Sequence, residues 1–384
     1  MRRRLSSPSP LHRSSAALRL TSGLTLGLSL GLSLGLTLGV SMALPRAAHA
    51  APTSRRGARS SGQTWTMPTI EHGLSEDDVT AGEDPVIRAA ALRALGDKNG
   101  TAVVVDPNTG RILAMVNQRL ALSSQYQPCS TTKMAVALAA LQNGVVNENT
   151  PIRIAAHTAV NLTEALAYSI NAYFEALGDR MGFATVTNWE REMGLGEKVG
   201  LNIPGESPGI VPSEPGPGGV AKLSSFGEGV HITPLQLAAI VSTIANGGTL
   251  YWLQHPTTAQ QAADFQAKVH RRLPIADFTP EVKDGMLAAV QYGTARGSQL
   301  RNEQILGKTG TCSRDGARFG LFASYLGIQH PQLVVVVILR GNGSYSGPRA
   351  ARVAGAIYRS LDQKHYFLAQ SRPAAVRPTA LRTR

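Results

Sequence analysis

The chain has 384 residues, enough for one large domain or two small ones, and its 43% apolar content rules out global disorder. Aromatic residues make up only 5%, too few for a nucleic-acid stacking platform. The net charge of +13 belongs to the chain ends: nine arginines and no acid fall in residues 1–60, and four arginines follow Tyr366, leaving 25 basic against 25 acidic residues between them. A near-neutral middle excludes a basic groove and a nucleic-acid partner.

In chain order, Arg2–Arg4, Arg13 and Arg19 precede an uncharged run from Leu20 to Leu44 that repeats Gly-Leu-Ser/Thr-Leu. Charge followed by an apolar stretch reads as an export signal. Ala48-His49-Ala50 is an Ala-x-Ala cleavage site, which puts a mature start near Ala51. The run is also long enough to span a bilayer, so an uncleaved membrane anchor competes with a cleaved signal peptide over residues 1–50. Both readings place the remainder outside the cytoplasm, in the periplasm or another extracytoplasmic compartment. Residues 51–85, rich in Ser, Arg, Gly and acids, read as a flexible linker.

Val86–Leu95 has helical periodicity, and Thr101–Asp106, the turn Pro107-Asn108-Thr109-Gly110 and Arg111–Asn117 spell a hairpin. Helices are expected over Ser130–Gln142, from the capping-box variant Asn161/Glu164, from Thr233-Pro234 to Asn246-Gly247-Gly248, and from Thr279-Pro280. Gly320–Ile328 and Leu333–Arg340 read as strands, and Pro348–Leu361 as a closing helix. The expectation is an α+β fold: one antiparallel sheet built from both chain ends, flanked by the terminal helices, with a helical subdomain inserted. This domain is placed at 86–365, with a basic, disordered tail over 366–384.

Three polar motifs interrupt these patterns. Ser130-Thr131-Thr132-Lys133 opens a helix, and one turn of spacing sets Lys133 beside Ser130. A serine hydroxyl is a weak nucleophile until a neighbour takes its proton, and a desolvated lysine can do so. The bland alternative is a capped helix with a solvated lysine. Met134–Leu141 is wholly apolar, however, so this helix should be buried and its one charge needs a reason. Ser169 and Asn171 break the apolar segment Leu162–Leu177, where buried polar groups are costly unless bonded; alone they read as an ordinary polar turn. Lys308-Thr309-Gly310-Thr311 starts a strand pattern whose glycine admits close approach of a ligand. Alone that motif is a polar edge strand.

Taken together, Ser-x-x-Lys, Ser-x-Asn and Lys-Thr-Gly in this order are a specific set. The sequence resembles the transpeptidase domain of penicillin-binding proteins across about residues 86–365. The likeness includes Ala102–Val116, Tyr126–Lys133, Gly200–Pro212, Ser225–Gly248 and Gly293–Thr311. The resemblance implies a serine D,D-transpeptidase or D,D-carboxypeptidase acting on peptidoglycan stem peptides that end in D-Ala-D-Ala. Ser130 is then the nucleophile, Lys133 its base, and Ser169 and Asn171 assist. Lys308, Thr309 and Gly310 receive the terminal carboxylate, and the N–H groups of Ser130 and Thr311 form the oxyanion hole. β-Lactams are implied as covalent inhibitors. No cofactor is expected. The nine histidines show no His-x-His or His-Glu-x-x-His spacing, so no metal is expected either.

The sequence departs from the family pattern at Cys129, where a glycine usually precedes the nucleophile. Cys312 directly follows Thr311, and the chain has 2 cysteines in all. If the Ser130 and Thr311 N–H groups meet at one oxyanion, Cys129 and Cys312 fall near disulfide range. The pairing resembles carbapenem-hydrolysing class A β-lactamases, so a Cys129–Cys312 disulfide is expected, with two small buried thiols as the alternative. A serine β-lactamase and a non-turnover penicillin-binding sensor or scaffold are the other functional readings. Against the first, no Glu here has Asn at the fourth position after it, the arrangement those lactamases use to deacylate. Glu206 and Glu228 sit in turns beside glycine and read as solvated, with lining of the cleft as the alternative, and Trp189 and Trp252 read as packing residues rather than sugar platforms.

Overall fold

The computed structural model describes residues 64–123, 126–147 and 149–367. The export-signal region and the tail beyond Phe367 lie outside them. Five antiparallel strands form the main sheet in the order β2-β1-β9-β8-β7. They are β1 (Gly100–Val105), β2 (Ile112–Val116), β7 (Ile305–Arg314), β8 (Ala317–Leu326) and β9 (Leu333–Gly341). Both chain ends meet here, since β1 pairs with β9 in the register Val103↔Val336. β1 and β9 are rich in β-branched residues and buried along almost their whole length because both faces of the sheet are covered. Val103 and Val336 turn to one core, Val104 and Val335 to the other.

The second core lies under α1 (Pro85–Leu95) and α11 (Gly347–Gln363). The first lies under the inserted segment, whose helices are α2 (Gln118–Ala121), α3 (Lys133–Gln142), α4 (Leu162–Ala167), α5 (Asn171–Met181), α6 (Phe183–Glu192), α7 (Gly219–Phe226), α8 (Pro234–Ala245), α9 (Ala259–Ala263) and α10 (Thr279–Gln291). Two short hairpins complete it: β3 (Ile152–Ala155) with β4 (Thr158–Val160), and β5 (Thr249–Tyr251) with β6 (Val269–Arg272). The α+β expectation holds, and both halves of the capping boxes at Asn161/Glu164 and Thr233/Gln236 form. Among the described residues no helix is long and apolar enough to cross a membrane.

Three expectations change. The described part of the expected linker, 64–84, is bound into the fold: Thr66 N–H donates to Gly316 O at 3.0 Å and Glu71 N–H to Asp97 O at 3.0 Å. Asp78, Glu83 and Asp84 are engaged by the fold, whereas Glu76 and Asp77 are exposed. Asp78 accepts from Asn117 N at 2.9 Å and Gln118 N at 2.8 Å, and Arg88 bridges Asp78 and Glu83 at 2.8 Å each. At the other end, Tyr366 Oη donates to Asp84 Oδ2 at 2.8 Å and Phe367 joins the core, so the domain runs past residue 365. Third, Leu162–Leu177 is not one buried segment. α4 stops at Ala167, Ser169 takes a left-handed φ of 59°, and α5 restarts at Asn171.

Candidate active site

The first motif stands on a tight turn. Cys129 has φ 50°, a conformation that favours glycine, and Cys129–Thr131 is a single 3-10 turn rather than the start of the α-helix. α3 begins at Lys133 and is buried at every position from Lys133 to Leu141. Burying an all-apolar helix this way carries the lysine into the interior with it.

Lys133 is 0% exposed. Its Nζ donates to Ser169 O at 2.8 Å and Asn171 Oδ1 at 2.6 Å, and lies 3.3 Å from Ser169 Oγ. It also stands 5.3 Å from the Phe174 ring centroid. These partners come from the α4–α5 break and from α5, so the break exists where the lysine needs acceptors. Desolvation lowers the Lys133 pKa to about 7, against the attraction of Glu175. A large fraction of the amine is therefore uncharged near neutral pH. Ser130 is partly exposed, whereas Asn171 is exposed with its Oδ1 engaged by Lys133.

The third motif lies in β7, which begins at Ile305, three residues before Lys308, and forms the edge of the sheet. Lys308 is fully buried, and its Nζ donates to Thr309 O at 3.2 Å. Burial, then repulsion from Lys133, hold its pKa well below the usual lysine range, so the two buried amines lie within Coulombic reach of each other. A Cβ at Gly310 would come within 3.1 Å of Pro128 O and 3.2 Å of Thr131 Cγ2, which is how closely the Ser130 turn lies on β7. Cys129 and Cys312 form a disulfide with Cα atoms 5.8 Å apart, joining the two motifs covalently. Thr309 Oγ1 shares a hydrogen bond with Thr294 Oγ1 at 2.6 Å, and Thr311 Oγ1 accepts from Gly347 N at 2.8 Å.

All three motifs thus converge, with Lys133 bonded to the second and the Ser130 turn lying against the third. Sequence reasoning missed Thr294 and Glu190 and read Glu206 as solvated. Glu206 is not solvated: it is 3% exposed, accepts from Val199 N at 2.9 Å and Gly200 N at 3.0 Å, and burial raises its pKa to about 6. Among the described residues no group of His, Cys, Asp and Glu could hold a metal ion.

Comparison with known proteins points the same way. Residues 100–359 match the family model described as the penicillin binding protein transpeptidase domain. The chain is 26% identical to peptidoglycan D,D-transpeptidase MrdA of Acinetobacter baumannii, covering 79% of this chain and 57% of that protein. It is 28% identical to stage V sporulation protein D of Bacillus subtilis, covering 67% and 48%, and 27% identical to peptidoglycan D,D-transpeptidase FtsI of Escherichia coli, covering 69% and 52%. The chain spans about half the length of the curated relatives it matches. Among solved structures, Pseudomonas aeruginosa PBP2 in complex with WCK 5153 superposes with a TM-score of 0.63 at 25% identity, over 74% of this chain and 77% of that one.

Proposed function

This chain belongs to the penicillin-binding protein transpeptidase family, and on that premise we propose that it is a serine D,D-transpeptidase or D,D-carboxypeptidase for peptidoglycan stem peptides ending in D-Ala-D-Ala, acting outside the cytoplasm. Ser130 Oγ attacks the carbonyl of the penultimate D-Ala while Lys133, as the free amine, takes its proton. The N–H groups of Ser130 and Thr311 receive the oxyanion, and Lys308, Thr309 and Gly310 receive the terminal carboxylate. Lys133 then returns the proton through the Ser169 hydroxyl to the departing D-Ala nitrogen. Asn171, its oxygen held by Lys133, has amide hydrogens to offer the peptide backbone. An amine resolves the acyl-enzyme by transpeptidation, water by carboxypeptidation. β-Lactams acylate Ser130 and persist there, since the class A lactamase deacylating pattern is absent from the sequence.

The observation that carries this reading is Lys133: a buried amine with its pKa lowered to about 7, bonded to the second motif and repelled by the lysine of the third. The disulfide supports an oxidising, extracytoplasmic compartment. The test is incubation with a fluorescent penicillin, followed by intact mass over time. A stable adduct on wild type and none on Ser130→Ala is the expected result; no adduct on wild type overturns the reading. Rapid loss of the adduct favours a β-lactamase. A stable adduct without D-Ala release from a pentapeptide substrate favours a sensor.

A further inference from the structure

One ionisable group beside the first motif has no part in the chemistry above. Glu190, near the end of α6, is fully buried. Thr132 Oγ1 donates to its Oε1 at 2.9 Å, while Oε2 has no hydrogen-bond partner among the described residues. Thr132, itself 5% exposed, stands between Ser130 and Lys133 at the N-cap of α3. A threonine there ordinarily turns its hydroxyl onto the free N–H groups of its own helix. Thr132 makes no such cap and reaches instead to a carboxyl 58 positions along the chain. The turn bearing the nucleophile is therefore tethered on one side by the Cys129–Cys312 bond and on the other by Thr132 and Glu190.

The helices packed against α6 are α3, α5 and α7. Their charged groups are Lys133 on α3, Glu175, Asp179 and Arg180 on α5, and Lys222 on α7, while α6 itself adds Arg191 and Glu192. Lys133 is committed to Ser169 and Asn171, Lys222 pairs with Glu175 at 2.7 Å, and Arg191 donates to Pro212 O at 3.2 Å. None of these cations is hydrogen-bonded to the Glu190 carboxyl. Desolvation raises the Glu190 pKa to about 7, against the Thr132 hydrogen bond and the charge of Arg191. Ionised, the group is a buried anion with no hydrogen-bonded cation.

We propose that Glu190 is a positioning residue for the acylation read above: its buried carboxyl accepts from the Thr132 hydroxyl and so holds the turn bearing Ser130 and Lys133. Because this rests on the acylation reading, the experiment separates the two. Second-order acylation by a fluorescent penicillin is measured on the full chain from pH 5.5 to 9.5 for wild type, Glu190→Gln and Thr132→Val, with thermal melts alongside.

The wild-type rate should rise with pH as Lys133 gives up its proton. Glu190→Gln, which keeps an acceptor for Thr132, should stay within about threefold of wild type across this range. Thr132→Val should lose roughly fivefold or more at pH 7. In the melts, wild type should lose ground to Glu190→Gln from about pH 4.5 to 7 and then level, because the folded state holds the proton more tightly than the unfolded chain. A loss in Glu190→Gln as large as that in Thr132→Val defeats this proposal alone, as does an unchanged rate in a folded Thr132→Val. An absence of label on wild type at every pH defeats the acylation reading, and the proposal with it. Should Glu190→Gln fail to fold, an unchanged rate in a folded Thr132→Val is the result that overturns the tether.

Discussion

Replacing Lys133 by methionine tests the proposed base through stability. The wild-type amine is fully buried and its pKa falls from the ordinary 10.5 to about 7. An unfolded chain keeps the ordinary value, so unfolding takes up a proton in the window between those two values. The unfolded state binds more protons there, and stability therefore rises with pH across it. The group costs the folded protein about 5 kcal/mol below the lower value and nothing above the upper one. Between pH 6 and pH 9 the cost shrinks by about 2.5 kcal/mol. Methionine fills a similar space without titrating. It also strips a donor from Ser169 O and Asn171 Oδ1, which costs about 1–3 kcal/mol at any pH. Relief of the repulsion on Lys308 has the same sign as the main effect. Urea unfolding of both proteins at pH 6 and pH 9 isolates the titrating part. The stability of Lys133→Met relative to wild type should be about 2.5 kcal/mol more favourable at pH 6 than at pH 9. An equal difference at the two pH values would mean that Lys133 titrates like a solvated lysine, and the reasoning that makes it a base near neutral pH would fail. The variant should also take no penicillin label.

Reduction of Cys129–Cys312, or Cys312→Ser, opens a loop spanning 183 positions, worth about 5 kcal/mol in the chain-entropy treatment. A urea midpoint unmoved by reductant would contradict it, and acylation should slow as well because Cys129 holds its left-handed φ under that tie. Gly347→Ala sets a methyl 2.7 Å from Thr309 Cβ and 2.8 Å from Gly310 O, so it should destabilise by about 1–3 kcal/mol and lower the penicillin acylation rate, both absent if the helix start can retreat from β7. Thr233→Ala removes the cap of α8 and should cost about 1 kcal/mol in urea unfolding while leaving the acylation rate unchanged.

The strands at Thr101–Asp106 and Leu333–Arg340, the caps at Asn161 and Thr233, and the three motifs were legible in the sequence because each depends on residues a few positions apart. The two cysteines flanking the motifs were legible once the motifs were assigned. Nothing local, however, says that Val103 meets Val336, that acids at 78 and 83 meet Arg88 instead of water, or that Ser169 takes a left-handed turn to meet Lys133. Glu190 looks like any polar residue of a surface helix and is fully buried against Thr132. Residue types and their spacing fixed which groups could do chemistry. Only the folded chain decided their protonation, since a pKa depends on how much water remains and which distant charges arrive, and both come from contacts far apart in sequence.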